Sequence, residues 1–195
     1  MDDLLKGVNL YLVGMMGSGK TTVGQLLADR LGYQFVDTDV LIERVAGQSV
    51  SQIFAEVGEA AFRKLESQVL AQLSAYTRRA IATGGGIVLN RENWGYLRHG
   101  IVVWLDVPLE QLQTRLQADT TRPLLQDTDL ATKLRTLMEQ RQSLYAQADV
   151  RVTCDPGETP TQVATRTIDQ IRQTIKPTGG VGGRGNWESE IGNGK

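Results

Sequence analysis

Cysteine and histidine are almost missing. Cys154 and His99 are the single representatives of each in 195 residues. One cysteine excludes an intrachain disulfide, and one of each excludes a Cys/His zinc cluster. A Ser-His-Asp arrangement would have to use His99, which lies in a turn-like "LRHGI" with nothing resembling a nucleophile elbow nearby. An excess of one charge is also missing. The formal net charge is −1, so there is no basic footprint for general nucleic-acid or membrane binding. No apolar run reaches spanning length. The opening "MDDLLKG" is acidic and lacks a long apolar stretch, so neither a secretory signal nor a transit peptide is expected, and a cytoplasmic location is. Cys154, near the end of the apolar "VRVTC", reads as a buried structural thiol.

What is present is the ordinary material of one globular domain, 41% hydrophobic and 22% charged. Apolar runs that read as strands are Val8–Gly14, Gln34–Val36, Ala80–Thr83, Ile101–Val107 and Val150–Thr153. Helical periodicity occupies Lys20–Leu31, Val40–Val45, Glu59–Ser74, Leu109–Leu116, Leu130–Ala148 and Pro160–Ile175. Alternation of the two, with continuously apolar strands, predicts an α/β fold: a three-layer α/β/α arrangement around a central five-stranded parallel sheet. The expected domain is 1–176. Residues 177–195 hold seven glycines in nineteen positions and no periodicity, and are expected to be a disordered tail.

The strongest motif is "GMMGSGKT", Gly14 to Thr21, between the first strand and the first helix. It matches G-x-x-x-x-G-K-[ST] in the strand–loop–helix setting that the pattern requires. Gly14, Gly17 and Gly19 let backbone N–H groups turn inward around phosphate oxygens, and the helix N-terminus adds positive partial charge. Lys20 reaches the β- and γ-phosphates, and Thr21 offers a hydroxyl to Mg²⁺. A nucleoside triphosphate ligand follows. Kinase, GTPase and silent binding module are left undivided.

Four further features suggest a second ligand. "FVDTD" places Asp37 and Asp39 at the carboxyl end of the second strand, on one side if the backbone stays extended. Capping of the next helix accounts for one of these acids, not both. Arg63 and Glu66 lie three apart on one helix flank; they are either a surface ion pair or an arginine held for a ligand. Gly84, Gly85 and Gly86 follow the third strand directly and permit positive φ and close approach of a ligand. Arg122 sits in the polar stretch 117–129, which is either a solvated loop or a lid that closes over phosphates. Finally, Arg141 falls on the apolar face defined by Leu134 and Leu137. A buried guanidinium needs an anion, and the helix alone does not say whether that anion is structural or a ligand.

Taken in order, "GMMGSGKTTVG", "FVDTD", "GEAAFRKLE", "ATGGG", "TRPLL" and "RQSLY" resemble the shikimate kinase family, from about Leu10 to Ile175. The resemblance implies a P-loop kinase of the nucleoside-monophosphate-kinase-like fold with a mobile lid. It implies transfer of the ATP γ-phosphate to the 3-hydroxyl of shikimate, with Mg²⁺, by a monomer. By the same resemblance Gly17, Ser18, Gly19, Lys20, Thr21 and Thr22 contact ATP, Arg115 and Pro160 flank adenine, and Arg122 reaches the phosphates. Asp37, through water, and Thr21 serve the metal. Asp39 takes ring hydroxyls. Phe54 and Phe62 line the acceptor pocket, while Arg63, Arg141 and the Gly84–Gly86 backbone hold the carboxylate. A kinase for another hydroxy acid such as gluconate, a nucleotide kinase and a silent P-loop module are the competing readings. Lys20, Asp39 and the arginines are all present, which disfavours the last.

Overall fold

A computed structural model describes residues 4–118 and 130–175 of the chain. Its strands are β1 (Leu10–Val13), β2 (Gln34–Asp37), β3 (Arg79–Ala82), β4 (Ile101–Asp106) and β5 (Val150–Thr153). Its helices are α1 (Lys20–Leu31), α2 (Thr38–Ala46), α3 (Val50–Ser74), α4 (Arg91–Leu97), α5 (Leu109–Ala118), α6 (Leu130–Tyr145) and α7 (Pro160–Ile175), with a 3₁₀ turn at Ile87–Leu89. The expected tail and Arg122 lie outside the described residues.

The five strands form one parallel sheet in the order β2-β3-β1-β4-β5. Every residue of β1 is buried, as are Val102 to Leu105 of β4. Side chains alternate between faces along a strand, so burial at consecutive positions means that helices cover both faces. The edge strand β5 instead alternates buried and exposed.

Register brings the motifs to one edge. Ala82 pairs with both Leu12 and Asp37, and Val13 pairs with Trp104. The phosphate loop, the acidic pair and the glycine triplet therefore leave the sheet at nearly the same level. Because β1 is flanked by β3 and β4, the chain diverges to opposite sides at its carboxyl end. Open α/β sheets place their ligands at such a switch point.

Three local expectations change. Helix α3 begins nine residues before the expected Glu59, at Val50. Ser49 caps it, accepting from Gln52 N–H while Gln52 Oε1 accepts from Ser49 N–H, and Gly58 (φ 80°, ψ 170°) breaks it into two segments. Helix α4 and the 3₁₀ turn were not anticipated; Asn90 starts α4 by accepting from Glu92 N–H. Strand β1 begins at Leu10 rather than Val8. The Asn9 side chain takes over there, donating to Tyr76 O and accepting from Arg79 N–H.

Candidate active site

The phosphate loop needs its glycines for torsion. Gly14, Gly17 and Gly19 have φ of 141°, 77° and 89°, values that side-chain-bearing residues rarely adopt. A Cβ on Gly14 would also lie 2.6 Å from Leu105 O. Gly19, in the left-handed region, is the N-cap of α1. Lys20 is buried and donates to Gly14 O at 2.9 Å and Met15 O at 2.8 Å. Thr21 Oγ1 donates to Asp37 Oδ2 at 2.7 Å, so the P-loop hydroxyl and the first acid of "DTD" are already side by side.

Beside the loop is a cleft of about 270 Å³. Gly17, Ser18, Gly19, Thr22, Arg115 and Pro160 line it, six residues expected to meet one ligand, together with Cys154 and Glu158. Arg115 Nη1 donates to Gly17 O at 3.3 Å. Burial pushes the Cys154 thiol up to about 11, with a contribution from Glu158.

The expected extended pair Asp37/Asp39 is corrected. Asp37 is the N-cap of α2, and its Oδ1 accepts from Asp39 N–H at 3.0 Å and from Val40 N–H at 3.4 Å. The chain turns helical at Thr38, so Asp39 lies in the first turn of α2 and no longer alternates with Asp37 along a strand. The carboxylates diverge: Asp37 faces Thr21, and Asp39 faces the glycine triplet. Thr38, fully buried, accepts from Gly84 N–H at 3.1 Å and ties α2 to that triplet.

Of Gly84, Gly85 and Gly86, the first and last are needed for room, and none of the three for torsion. None has a positive φ, contrary to one of the two expected reasons for them. A Cβ on Gly84 would stand 2.3 Å from Glu66 Oε1 and 2.9 Å from Asp39 Oδ1, and a Cβ on Gly86 2.3 Å from Arg63 Nη1. One on Gly85 would be 3.4 Å from Gly14 O and Met16 N and 3.6 Å from Arg141 Nη1. The triplet is thus the floor on which both arginines, both remaining carboxylates and the phosphate loop converge.

Arg63 donates to Glu66 Oε2 at 2.5 Å and to Glu59 Oε1 at 3.0 Å. Its guanidinium carbon stands 5.9 Å and 5.4 Å from the ring centroids of Phe54 and Phe62, which are 4.6 Å from each other. Glu66 is 1% exposed, so this is not the surface ion pair that was one reading of the spacing. Burial holds its carboxyl above the usual carboxylate range against the lowering effect of Arg63.

Arg141 is 6% exposed and donates to Gly85 O at 3.2 Å. Among the described residues no carboxylate forms an ion pair with it. The Nε groups of Arg63 and Arg141 and Glu66 Oε1 are buried without hydrogen-bond partners. Such orphans are uncommon unless a ligand or water completes them. Tyr145, the last residue of "RQSLY" and one with no expected role, donates to Gly85 O at 2.6 Å.

The sequence profile of the family described as shikimate kinase matches residues 16–172. A shikimate kinase of Nostoc punctiforme is 60% identical over 177 residues, covering 91% of this chain and 98% of the relative. The solved shikimate kinase from Acinetobacter baumannii in complex with shikimate superposes with a TM-score of 0.81 at 37% identity, covering 89% of this chain and 98% of that one. A gluconokinase from Sinorhizobium meliloti, 16% identical with a TM-score of 0.51 and covering 86% and 93%, shares the fold alone. With 157 consecutive residues inside the family profile, the motifs in family order and the relatives aligned nearly end to end, the chain belongs to the shikimate kinase family.

Proposed function

We propose that the chain transfers the γ-phosphate of ATP to the 3-hydroxyl of shikimate, giving shikimate 3-phosphate and ADP. The observation that carries this reading is the glycine floor. Arg141, the Arg63–Glu66 pair and Asp39 meet over Gly84–Gly86, directly beside the phosphate loop. A small ring with one carboxylate and several hydroxyls suits two cations on one side and an acid on the other.

ATP lies with its phosphates on Gly17–Thr22 and its base in the cleft between Arg115 and Pro160. Lys20 leaves the Gly14 and Met15 carbonyls and moves to phosphate oxygens. The P-loop amides, Lys20 and Arg122 stabilise charge on the transferring group, where most catalysis of this type arises. Asp39 orients the acceptor hydroxyl and accepts its proton late. Arg63 and Arg141 take the substrate carboxylate together with the Gly84–Gly86 backbone. Phe54 and Phe62 give the ring its apolar wall.

The residues present fit Mg²⁺. Thr21 Oγ1 and Asp37 Oδ2, 2.7 Å apart, would hold it, the hydroxyl directly and the carboxylate through water. Two hard oxygen donors, with phosphate and water completing the shell, are typical of this ion. When bound, it supplies neutralisation of the phosphate charge. Residues 1–176 act as one catalytic domain with the lid around Arg122, 177–195 as an appended tail, and the protein works as a cytoplasmic monomer. No helix among the described residues is long and apolar enough to cross a membrane.

Coupled ADP release with ATP, with and without shikimate, tests the reading, with gluconate as a second acceptor. Shikimate-dependent ADP is expected. Its absence, or faster release with gluconate, overturns the assignment.

A further inference from the structure

Arg141 and Tyr145 are four residues apart on α6, one turn of one face. Both donate to the same atom, Gly85 O, at 3.2 Å and 2.6 Å. A carbonyl oxygen has two lone pairs, so these donors fill it. The Tyr145 phenol has a single proton, which goes to the shorter contact; its 3.8 Å approach to Met15 Sδ is packing. The ring is fully buried against Trp104, with centroids 5.8 Å apart. Burial raises the phenol pKa although Arg141 opposes the rise, so the group remains a donor throughout the working pH range.

We propose that Tyr145 is a positioning residue for the acceptor site, its hydroxyl locking the Gly85 carbonyl against which Arg141 is aimed. This rests on the assignment of Arg141 to the acceptor carboxylate. The peptide after Gly85 is planar and trans. Fixing its carbonyl therefore fixes the Gly86 N–H, which points the opposite way. The same bond anchors one N–H of the Arg141 guanidinium, leaving its other donors in a fixed direction toward the ligand. Without the phenol, Gly85 O is held only by the longer Arg141 contact, so the Gly85–Gly86 peptide is the least fixed part of a segment otherwise tied at Gly84 by Thr38 and Ile87 and at Gly86 by Leu89.

The bland alternative is that Tyr145 is only an aromatic core residue. Tyr145→Phe separates the two, because it keeps the ring and its stacking on Trp104 and removes only the donor. Expected is a rise of about 5- to 10-fold in the shikimate KM, the worth of one ordinary hydrogen bond, with kcat and the ATP KM within about twofold. Shikimate affinity measured by calorimetry per folded molecule should fall by the same factor, so a change in stability cannot imitate it. In an Arg141→Ala background the same substitution should add clearly less than it does alone, since the part of its effect that runs through that guanidinium is gone and only the Gly86 N–H remains to be misplaced. If Arg141→Ala raises the shikimate KM while Tyr145→Phe does not, or if the two effects multiply, the positioning role is wrong. An equal rise in the ATP KM would mark general loosening around Met15 and also overturn it. If Arg141→Ala itself leaves the shikimate KM unchanged, the acceptor-site assignment beneath the proposal has failed instead.

Discussion

Arg63 Nη1 and Glu66 Oε2 lie 2.5 Å apart, with side-chain exposures of 23% and 1%. The carboxylate is the buried partner, and the guanidinium leans out of the helix toward the glycine floor. Burial works against the Arg63 charge but is outweighed by Glu66 and Glu59, so its pKa lies above the ordinary value. Burial also raises the Glu66 carboxyl, and there Arg63 does not fully offset it. A folded-state pKa above the unfolded one means that the fold prefers Glu66 protonated. Its contribution to stability is complete below the ordinary value of 4.5 and is lost as pH rises through the raised pKa. Function runs the other way, because neutral Glu66 no longer orients Arg63. As pH falls through that range, the shikimate KM of the wild type should rise, whereas Glu66→Gln should show a high and pH-independent KM. Parallel KM profiles for the two proteins would remove Glu66 from the acceptor site.

Gly84→Ala and Gly86→Ala should each fold and each lose turnover. The added methyl would stand 2.3 Å from Glu66 Oε1 in the first and 2.3 Å from Arg63 Nη1 in the second, so those charged groups must move aside. A misplacement near 1 Å at a reacting centre costs roughly 100-fold. Steady-state kcat/KM for shikimate should fall by about that factor in both variants, with ATP binding by calorimetry little changed. A loss below about threefold would mean that the floor is more yielding than its contacts imply.

The phosphate loop and the central strands β1, β3 and β4 are legible because each rests on a local rule: a loop whose glycines supply positive φ, and continuous apolar runs in a sheet covered on both sides. Lys20–Leu31 and Pro160–Ile175 agree with α1 and α7 end to end. The first half of α3 was passed over although Ser49 and Gln52 form a capping box, because the Gly58 break interrupts the apolar period. The acidic pair is legible as residues but not as geometry: Asp37 both ends β2 and caps α2, so the chain turns helical before Asp39. Tyr145 carries no signal in the chain itself, since its partner is a backbone carbonyl sixty residues away. Of the two expected uses of the glycine triplet, torsion and room, the fold uses only room, at Gly84 and Gly86.

Arg141→Ala should weaken shikimate binding by about 3 kcal/mol or more, as expected when one member of a desolvated charge pair is removed. ATP affinity should barely change, because the guanidinium touches Gly85 and not the nucleotide cleft. Titration calorimetry with each ligand separates the two. A variant that unfolds more readily yet binds shikimate normally per folded molecule would show Arg141 to be a structural cation.

Asp39→Asn should cut kcat by about 100-fold or more, the usual scale for a lost proton acceptor, and leave ATP binding nearly intact. Asp37 provides the contrast. It caps α2 and meets Thr21, so Asp37→Asn should act mainly through the Mg²⁺ dependence of the rate. Near-wild-type turnover by Asp39→Asn would remove its assigned role.

Cys154 offers a test of burial on the nucleotide side. It is 4% exposed, and burial, aided by Glu158, lifts its thiol from 9.0 to about 11. The unfolded chain therefore ionises first as pH rises. Stability from this group is complete below pH 9.0 and is lost as pH climbs through about 11, a difference of about 2–3 kcal/mol at the top of the range. Between those limits the unfolding free energy of the wild type should drop faster than that of Cys154→Ala, and the gap between them should change by roughly that amount. The thiol should also resist alkylation at mildly alkaline pH until the protein unfolds, because only the thiolate is nucleophilic. Rapid labelling of the folded protein would mean that the thiol is open to solvent from the cleft that it lines with Arg115 and Pro160, and that burial does not hold its pKa up.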